Sequence, residues 1–242
     1  MKLGNLTVIG TSHIARESVE EIKTFFEEEK PQIAAIELDS QRYLALTSGK
    51  RQKPSIMVLP RVGLHGFLFL VLGHWAQGIL GKMVGVEPGS EMLATIKQAK
   101  KRKVPLALID QDIQITLKRF STIPLREKAR LFWDLITGVF SRGTELKRMG
   151  ITTIDLSKVP DKALISKLMA MMRKRYSNLY RVLVEERNVY MARNLAGILT
   201  ANPEKKVLAV VGAGHEEEIM DLVKLYLTHQ KNVSEAGKAA QV

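Results

Sequence analysis

Two stretches of the chain place a glycine, two spacer residues and a histidine directly after a run of aliphatic residues. Gly10-Thr11-Ser12-His13 follows residues 6–9, and Gly212-Ala213-Gly214-His215 follows residues 207–211. Carboxylates recur in comparable places: Glu37 and Asp39 close the aliphatic run 33–36, and Asp110 and Asp112 close the run 104–109. His13, Glu37, Asp39, Asp110, Asp112 and His215 are therefore the candidates for one convergent polar site. Imidazole and carboxylate together suit a borderline divalent ion such as Zn, Mn or Co. Such an ion lowers the pKa of a bound water and polarises a carbonyl, which leaves a carboxylate to act as general base. Hydrolysis is the economical chemistry.

Each group also has a plainer reading. A lone Asp or Glu at a strand end often caps the next helix, and a single histidine after a glycine is often a loop residue. Arg119 lies a turn or two beyond the end of the run 104–109, where it could hold a substrate carboxylate or steady an oxyanion; otherwise it is a surface residue on a basic helix. Glu186-Arg187 reads most simply as salt bridges along its own helix. His65 and His74 fall in an uncharged segment and read as packing residues, and His229 lies close to the C-terminus.

The elements that must position these groups follow from hydrophobic period. Residues 6–9, 104–109 and 207–211 are short aliphatic runs bounded by Gly, Pro or polar residues, and 33–39 opens on such a run; each has the pattern of a buried strand. Between the first two, residues 18–29 carry Val19, Ile22, Phe25 and Phe26 at helical spacing, and Pro31 ends that helix. Strand, helix, strand in this length predicts a parallel crossover. Because side chains alternate along a strand, Glu37 and Asp39 are expected on one face of its end. Helices are predicted over 40–46 with Ser40 as cap, from Ser90 onward with Met92, Ile96 and Ala99 inward, over 113–120, over 175–199, and over 216–227. The expected fold is α/β: a small parallel or mixed central sheet flanked by helices, with a large helical insertion at about 112–200. A single domain is expected over 1–229, followed by a polar tail over 230–242.

Composition limits the function classes. The chain has 242 residues and no cysteine, which removes disulfides, thiolate metal sites and a cysteine nucleophile. Its net charge is +12, but aromatic residues do not alternate with the basic ones as a base-stacking surface requires, so nucleic acid is not expected as a partner. Residues 62–81 contain no charged side chain, yet five glycines and two histidines dilute them. They read as an apolar helix that packs on the core, a bilayer surface or a second copy in a homo-oligomer. The start lacks the pattern of a signal peptide, so a cytoplasmic domain is expected.

Several separated motifs carry a resemblance. They are Gly10-Thr11-Ser12-His13 with Ser18, Glu37-Leu38-Asp39 with Arg42-Tyr43, Pro88-Gly89-Ser90-Glu91-Met92, and Ile109-Asp110-Gln111-Asp112-Ile113 with Thr116-Leu117 and Arg119. Glu186-Arg187 and Val211-Gly212-Ala213-Gly214-His215 complete the set. Running in this order over about residues 6–225, they resemble the TraB/PrgY family, which includes the bacterial pheromone-shutdown protein and is similar to the TIKI metalloproteases. The wider group resembles erythromycin esterases and ChaN-like proteins, with a sheet between helices.

The resemblance implies divalent-metal binding by His13 and His215 and functional roles for Glu37, Glu91 and Arg119. It also implies a membrane, since many members continue into C-terminal transmembrane helices. Two departures stand out: Gln111 and Asn188 occupy positions where members often carry Arg and Asp. The expectation is a metal-dependent hydrolase, a peptidase acting on peptides or a membrane-associated substrate. The alternative is a non-catalytic domain that sequesters a peptide or docks a partner at the membrane.

Overall fold

The computed structural model describes residues 1–11, 16–48, 60, 89–140 and 162–239. His13 and the apolar segment 62–81 lie outside the described residues.

The sheet has five strands: β1 (Lys2–Leu3), β2 (Leu6–Thr11), β3 (Ile33–Ile36), β4 (Leu106–Leu108) and β5 (Val207–Gly212). Their order in space is β1-β2-β5-β3-β4. The last strand in sequence therefore enters between the first two long ones. β5 pairs in parallel with β2 on one side and β3 on the other, and β4 pairs in parallel with β3. Only β1 is antiparallel, folded onto β2 through a turn that puts Gly4 at φ 56°. The sequence pattern does not reveal this two-residue strand. It also makes β4 longer than the three residues that pair.

All six residues of β5 are buried, as expected of a central parallel strand covered on both faces. Its side chains alternate between two cores. Val207, Ala209 and Val211 join Leu6, Val8, Ile33 and Ala35 under α8 (Glu186–Ala201) and α9 (Glu216–Ala239), which contribute Met191, Leu195, Ile219 and Val223. Leu208 and Val210 face the other way with Ile9, Ala34 and Ile36, covered by Ile22 and Phe26 of α1 (Arg16–Glu28) and Met92 and Ile96 of α3 (Ser90–Arg102). This is the three-layer arrangement of an α/β domain.

The short helix α2 (Ser40–Thr47) follows β3. Its N-cap is Asp39, not Ser40: Asp39 Oδ1 accepts from the N–H groups of Gln41 at 2.7 Å and Arg42 at 3.0 Å. Likewise α3 is preceded by Gly89 at φ 87°, and Ser90 is its first helical residue.

Between β4 and β5 the described chain is helical. It contains α4 (Ile113–Ser121), α5 (Leu125–Phe140), α6 (Lys162–Arg175) and α7 (Ser177–Tyr180). A π-helical turn (Arg181–Glu185) then joins α7 to α8. Phe120, Ile123, Tyr176, Leu179 and Val182 form a smaller core of their own. The helix expected over 175–199 is thus interrupted at Tyr176 and widened at 181–185. The closing helix, expected to stop at Leu227, runs on to Ala239 through the residues read as a tail. Among the described residues no helix is long and apolar enough to cross a membrane.

Candidate functional site

Parallel pairing brings the glycines that open the two Gly-x-x-His stretches to one edge of the sheet. Gly10 lies beside Val211 and Thr11 beside Gly212, so β2 and β5 finish together. Gly10 is required by a close approach: a Cβ there would stand 2.7 Å from Glu216 Oε2 and 3.1 Å from the Ala213 backbone. β3 and β4 end at the same edge and deliver Glu37 and Asp110.

These carboxylates converge on Arg187, in the first turn of α8. Glu37 Oε2 accepts the N–H of Gly212 at 2.6 Å, and its Oε1 accepts from Arg187 Nη2. Asp110 receives two bonds from the same guanidinium, Nε to Oδ1 at 3.0 Å and Nη2 to Oδ2 at 2.8 Å. Arg42 of α2 adds a second cation, with Nη1 at 2.7 Å from Asp110 Oδ2. The side chains of Glu37 and Asp110 are 3% and 1% exposed. Carboxylates so far removed from water demand this pairing. Burial draws the Arg187 pKa down, but the charges of Glu37 and Asp110 and their hydrogen bonds outweigh it and hold the guanidinium above its ordinary value.

His215 closes the group. The turn after β5 is fixed by its N–H donating to Gly212 O at 2.9 Å, and its own carbonyl accepts from Ile219 N at 3.0 Å to start α9. The ring lies with Nδ1 2.5 Å from Asn188 Oδ1 and Nε2 3.5 Å from both Glu37 Oε1 and Arg187 Nη1. Beside this loop opens a groove of about 300 Å³ whose lining includes Gly10, Met169, Tyr180, Ala213, Gly214 and Glu218.

The structure thus brings Glu37, Asp110 and His215 together. Asp39 and Asp112 turn away to cap helices: Asp39 serves α2, and Asp112 Oδ1 accepts from Gln114 N at 2.8 Å at the start of α4. The expectation that Glu37 and Asp39 share a strand face fails because β3 stops at Ile36, before the alternation reaches them. Glu91 is fully buried in the first turn of α3, with Ser90 Oγ 3.5 Å from its carboxylate. Arg119 has a side chain 59% exposed and stands 3.5 Å from Glu186.

Arg187 corrects the reading of Glu186-Arg187 as a pair of same-helix bridges, because it leaves its helix to join two strand ends. Residue type and spacing likewise mark neither Asn188 nor Arg42 as a site residue. Arg42 and Arg187 do stand in the motifs that carry the family resemblance, which is the signal that marks them.

Glu37 Oε1 and His215 Nε2, 3.5 Å apart, suit two donors to one ion with bonds of about 2.1 Å. Among the described residues no group of three or more His, Asp or Glu is placed to hold a metal. Glu37 and His215 therefore fit such an ion only with further donors.

The family model for TraB/PrgY/gumN matches residues 2–230. The chain belongs to the TraB/PrgY/gumN family. It is similar to an uncharacterized protein of Methanocaldococcus jannaschii, 32% identical over 91% of this chain and 53% of the relative. A TraB domain-containing protein of Homo sapiens is 28% identical over 86% of this chain and 60% of its own length. That of Mus musculus is 27% identical over the same shares. The chain thus spans 53–60% of the length of these curated relatives.

Proposed function

We propose that this chain is a divalent-metal-dependent hydrolase acting on peptides, with its site at the shared edge of β2, β5 and β3. The observation that carries the reading is the meeting of Glu37 Oε1 and His215 Nε2 at 3.5 Å on neighbouring strand ends. In open parallel sheets this edge is where ligands bind.

In this reading His13, His215 and Glu37 hold the ion, and Glu91 is the ligating or positioning carboxylate that the resemblance implies. Bound Mn, Co or Zn supplies an acidified water and a Lewis acid. Arg187 and the Gly212 N–H hold the Glu37 carboxylate in place. Arg187 lies beside both Glu37 and His215 and offers positive charge where an oxyanion forms. Arg119, exposed and 3.5 Å from Glu186, is the candidate to receive the substrate's carboxylate. The groove beside Gly214 gives a peptide side chain a place to lie. Membrane association, implied by the resemblance, is part of this proposal.

A mixed peptide library incubated with the protein and Mn, Co or Zn, read by mass spectrometry, tests this. New termini that need both metal and His215 support the hydrolase. Intact peptides retained on the protein favour sequestration without cleavage, and neither result with any of the three metals rejects both. His13→Ala with His215→Ala should abolish metal uptake; stoichiometric binding by that double variant removes the ligand assignment.

A further inference from the structure

The third residue of α8, Asn188, is completely buried and makes two hydrogen bonds of opposite sense. Its Nδ2 donates to Glu218 Oε2 at 2.9 Å, and its Oδ1 lies 2.5 Å from His215 Nδ1. An ionised carboxylate only accepts, so Glu218 fixes which end of the amide faces it. The amide oxygen is then the atom presented to the histidine. It can only accept, so the proton of that bond must come from Nδ1.

We propose that Asn188 is a positioning residue that holds neutral His215 as its Nδ1–H tautomer, directing the Nε2 lone pair toward Glu37 and Arg187. Without such a partner either ring nitrogen can carry the proton. Here water does not compete, because Asn188 is sealed between α8 and α9, and a buried amide keeps its partners. Successive helical residues point about 100° apart. Arg187 and Asn188 can therefore serve different partners from adjacent positions, the first facing the strand-end carboxylates and the second facing α9. The π-turn immediately before them sets which residues take those directions. Tyr180, at the head of that turn, registers the same anion: burial and then the charge of Glu218 push its phenol pKa upward.

The consequence for metal uptake rests on the hydrolase reading, whereas the tautomer does not. The full chain, labelled with ¹⁵N-histidine and free of metal, is examined by long-range ¹H–¹⁵N correlation at a fixed pH above the imidazole range, with His215→Gln assigning the signals. The wild type is expected to show a protonated Nδ1 and an unprotonated Nε2. Asn188→Ala is expected to lose that preference. Asn188→Asp paired with Glu218→Gln, which keeps an acceptor for Nδ1–H while the new amide on α9 supplies the donor that Asp lacks, is expected to restore it. A wild-type Nε2–H form, an unchanged tautomer in Asn188→Ala, or failure of the double variant to restore it each overturns the proposal. If Asn188→Ala does not fold, the wild type and the double variant decide.

Titration with Mn²⁺ alone by calorimetry should show affinity lowered roughly 10–100-fold in Asn188→Ala. A wild type that binds no Mn²⁺, Co²⁺ or Zn²⁺ removes the hydrolase reading and leaves the tautomer result standing.

Discussion

Arg187 grips Asp110 through two bonds, Nε to Oδ1 at 3.0 Å and Nη2 to Oδ2 at 2.8 Å, and reaches Glu37 with the same Nη2. One guanidinium thus ties the ends of β3 and β4 to α8. Its planar fork matches carboxylate geometry in a way an ammonium does not.

Removal of that cation leaves two buried carboxylates short of a partner, although Asp110 keeps Arg42 and the N–H of Gln111. Arg187→Ala should cost about 3–5 kcal/mol, the usual penalty for breaking a buried ion pair from one side. Arg187→Lys keeps the charge and loses the fork, so it should recover only part of the loss. Urea unfolding checks both; equal stability of Arg187→Lys and the wild type would mean that charge alone is sufficient.

Gly10 and Gly214 flank the same loop but differ in what a methyl group would meet. At Gly10 the obstacles are Glu216 Oε2 at 2.7 Å and the Ala213 Cα at 3.1 Å, a buried carboxylate and a backbone atom. At Gly214 they are the Cε and Sδ of Met169 at 3.1 Å, the flexible end of a methionine. Gly10→Ala should therefore destabilise by about 1–3 kcal/mol, the range for overpacking, and Gly214→Ala by clearly less. Thermal unfolding of the two variants decides, and a larger loss at Gly214 would contradict it.

Strands β2 to β5 were legible because aliphatic runs ending in Gly, Glu or Asp can hardly be anything else in a chain of alternating strands and helices; the two-residue β1 carries no such run. The placement of β5 between β2 and β3 was not legible, since the order of a sheet depends on packing between segments some 170 residues apart, such as Ile33 and Val207. Within the site, Glu37 and Asp110 were found from their positions at strand ends. Asp39 and Asp112 share that signal and do different work, because a carboxylate next to a helix start satisfies free N–H groups of the first turn. Arg187 was misread because the i, i+4 rule assumes a regular helix, while a π-turn lies directly before it. Nothing in the residue type of Asn188 announces a partner on α9, since that contact depends on how two helices pack.

A second ion cluster lies away from this edge and should shape the acid limb of stability. Asp134 on α5 receives Arg175 Nη2 at 2.6 Å and Nε at 2.7 Å, and the Tyr176 hydroxyl bonds it as well. The Arg175 bonds, aided by Tyr176, hold the Asp134 pKa below its ordinary value despite partial burial. A carboxylate lowered on folding contributes stability above its unfolded pKa, about 3.9, and loses it as pH falls through the folded value. Asp134→Asn should therefore be less stable than the wild type near neutrality, with the gap closing below about pH 4. Urea unfolding across this range tests it; a gap that widens with acid has the opposite sign.

Glu37 is the residue whose substitution most needs a stability control. Its two oxygens both accept, one from Arg187 and one from the Gly212 N–H at 2.6 Å. Glutamine has a single acceptor oxygen, so Glu37→Gln must turn its NH₂ toward one of two donors and leave that donor buried without a bond. The expected cost is about 1–3 kcal/mol for the unsatisfied group. It should appear as a lower thermal midpoint and as faster exchange of the Gly212 amide if the side chain keeps its bond to Arg187. Unchanged Gly212 exchange, with Arg187 displaced instead, would show that the strand-end N–H holds Glu37 more firmly than the guanidinium does. A Glu37→Gln protein as stable as the wild type would mean that neither of these bonds contributes net stability.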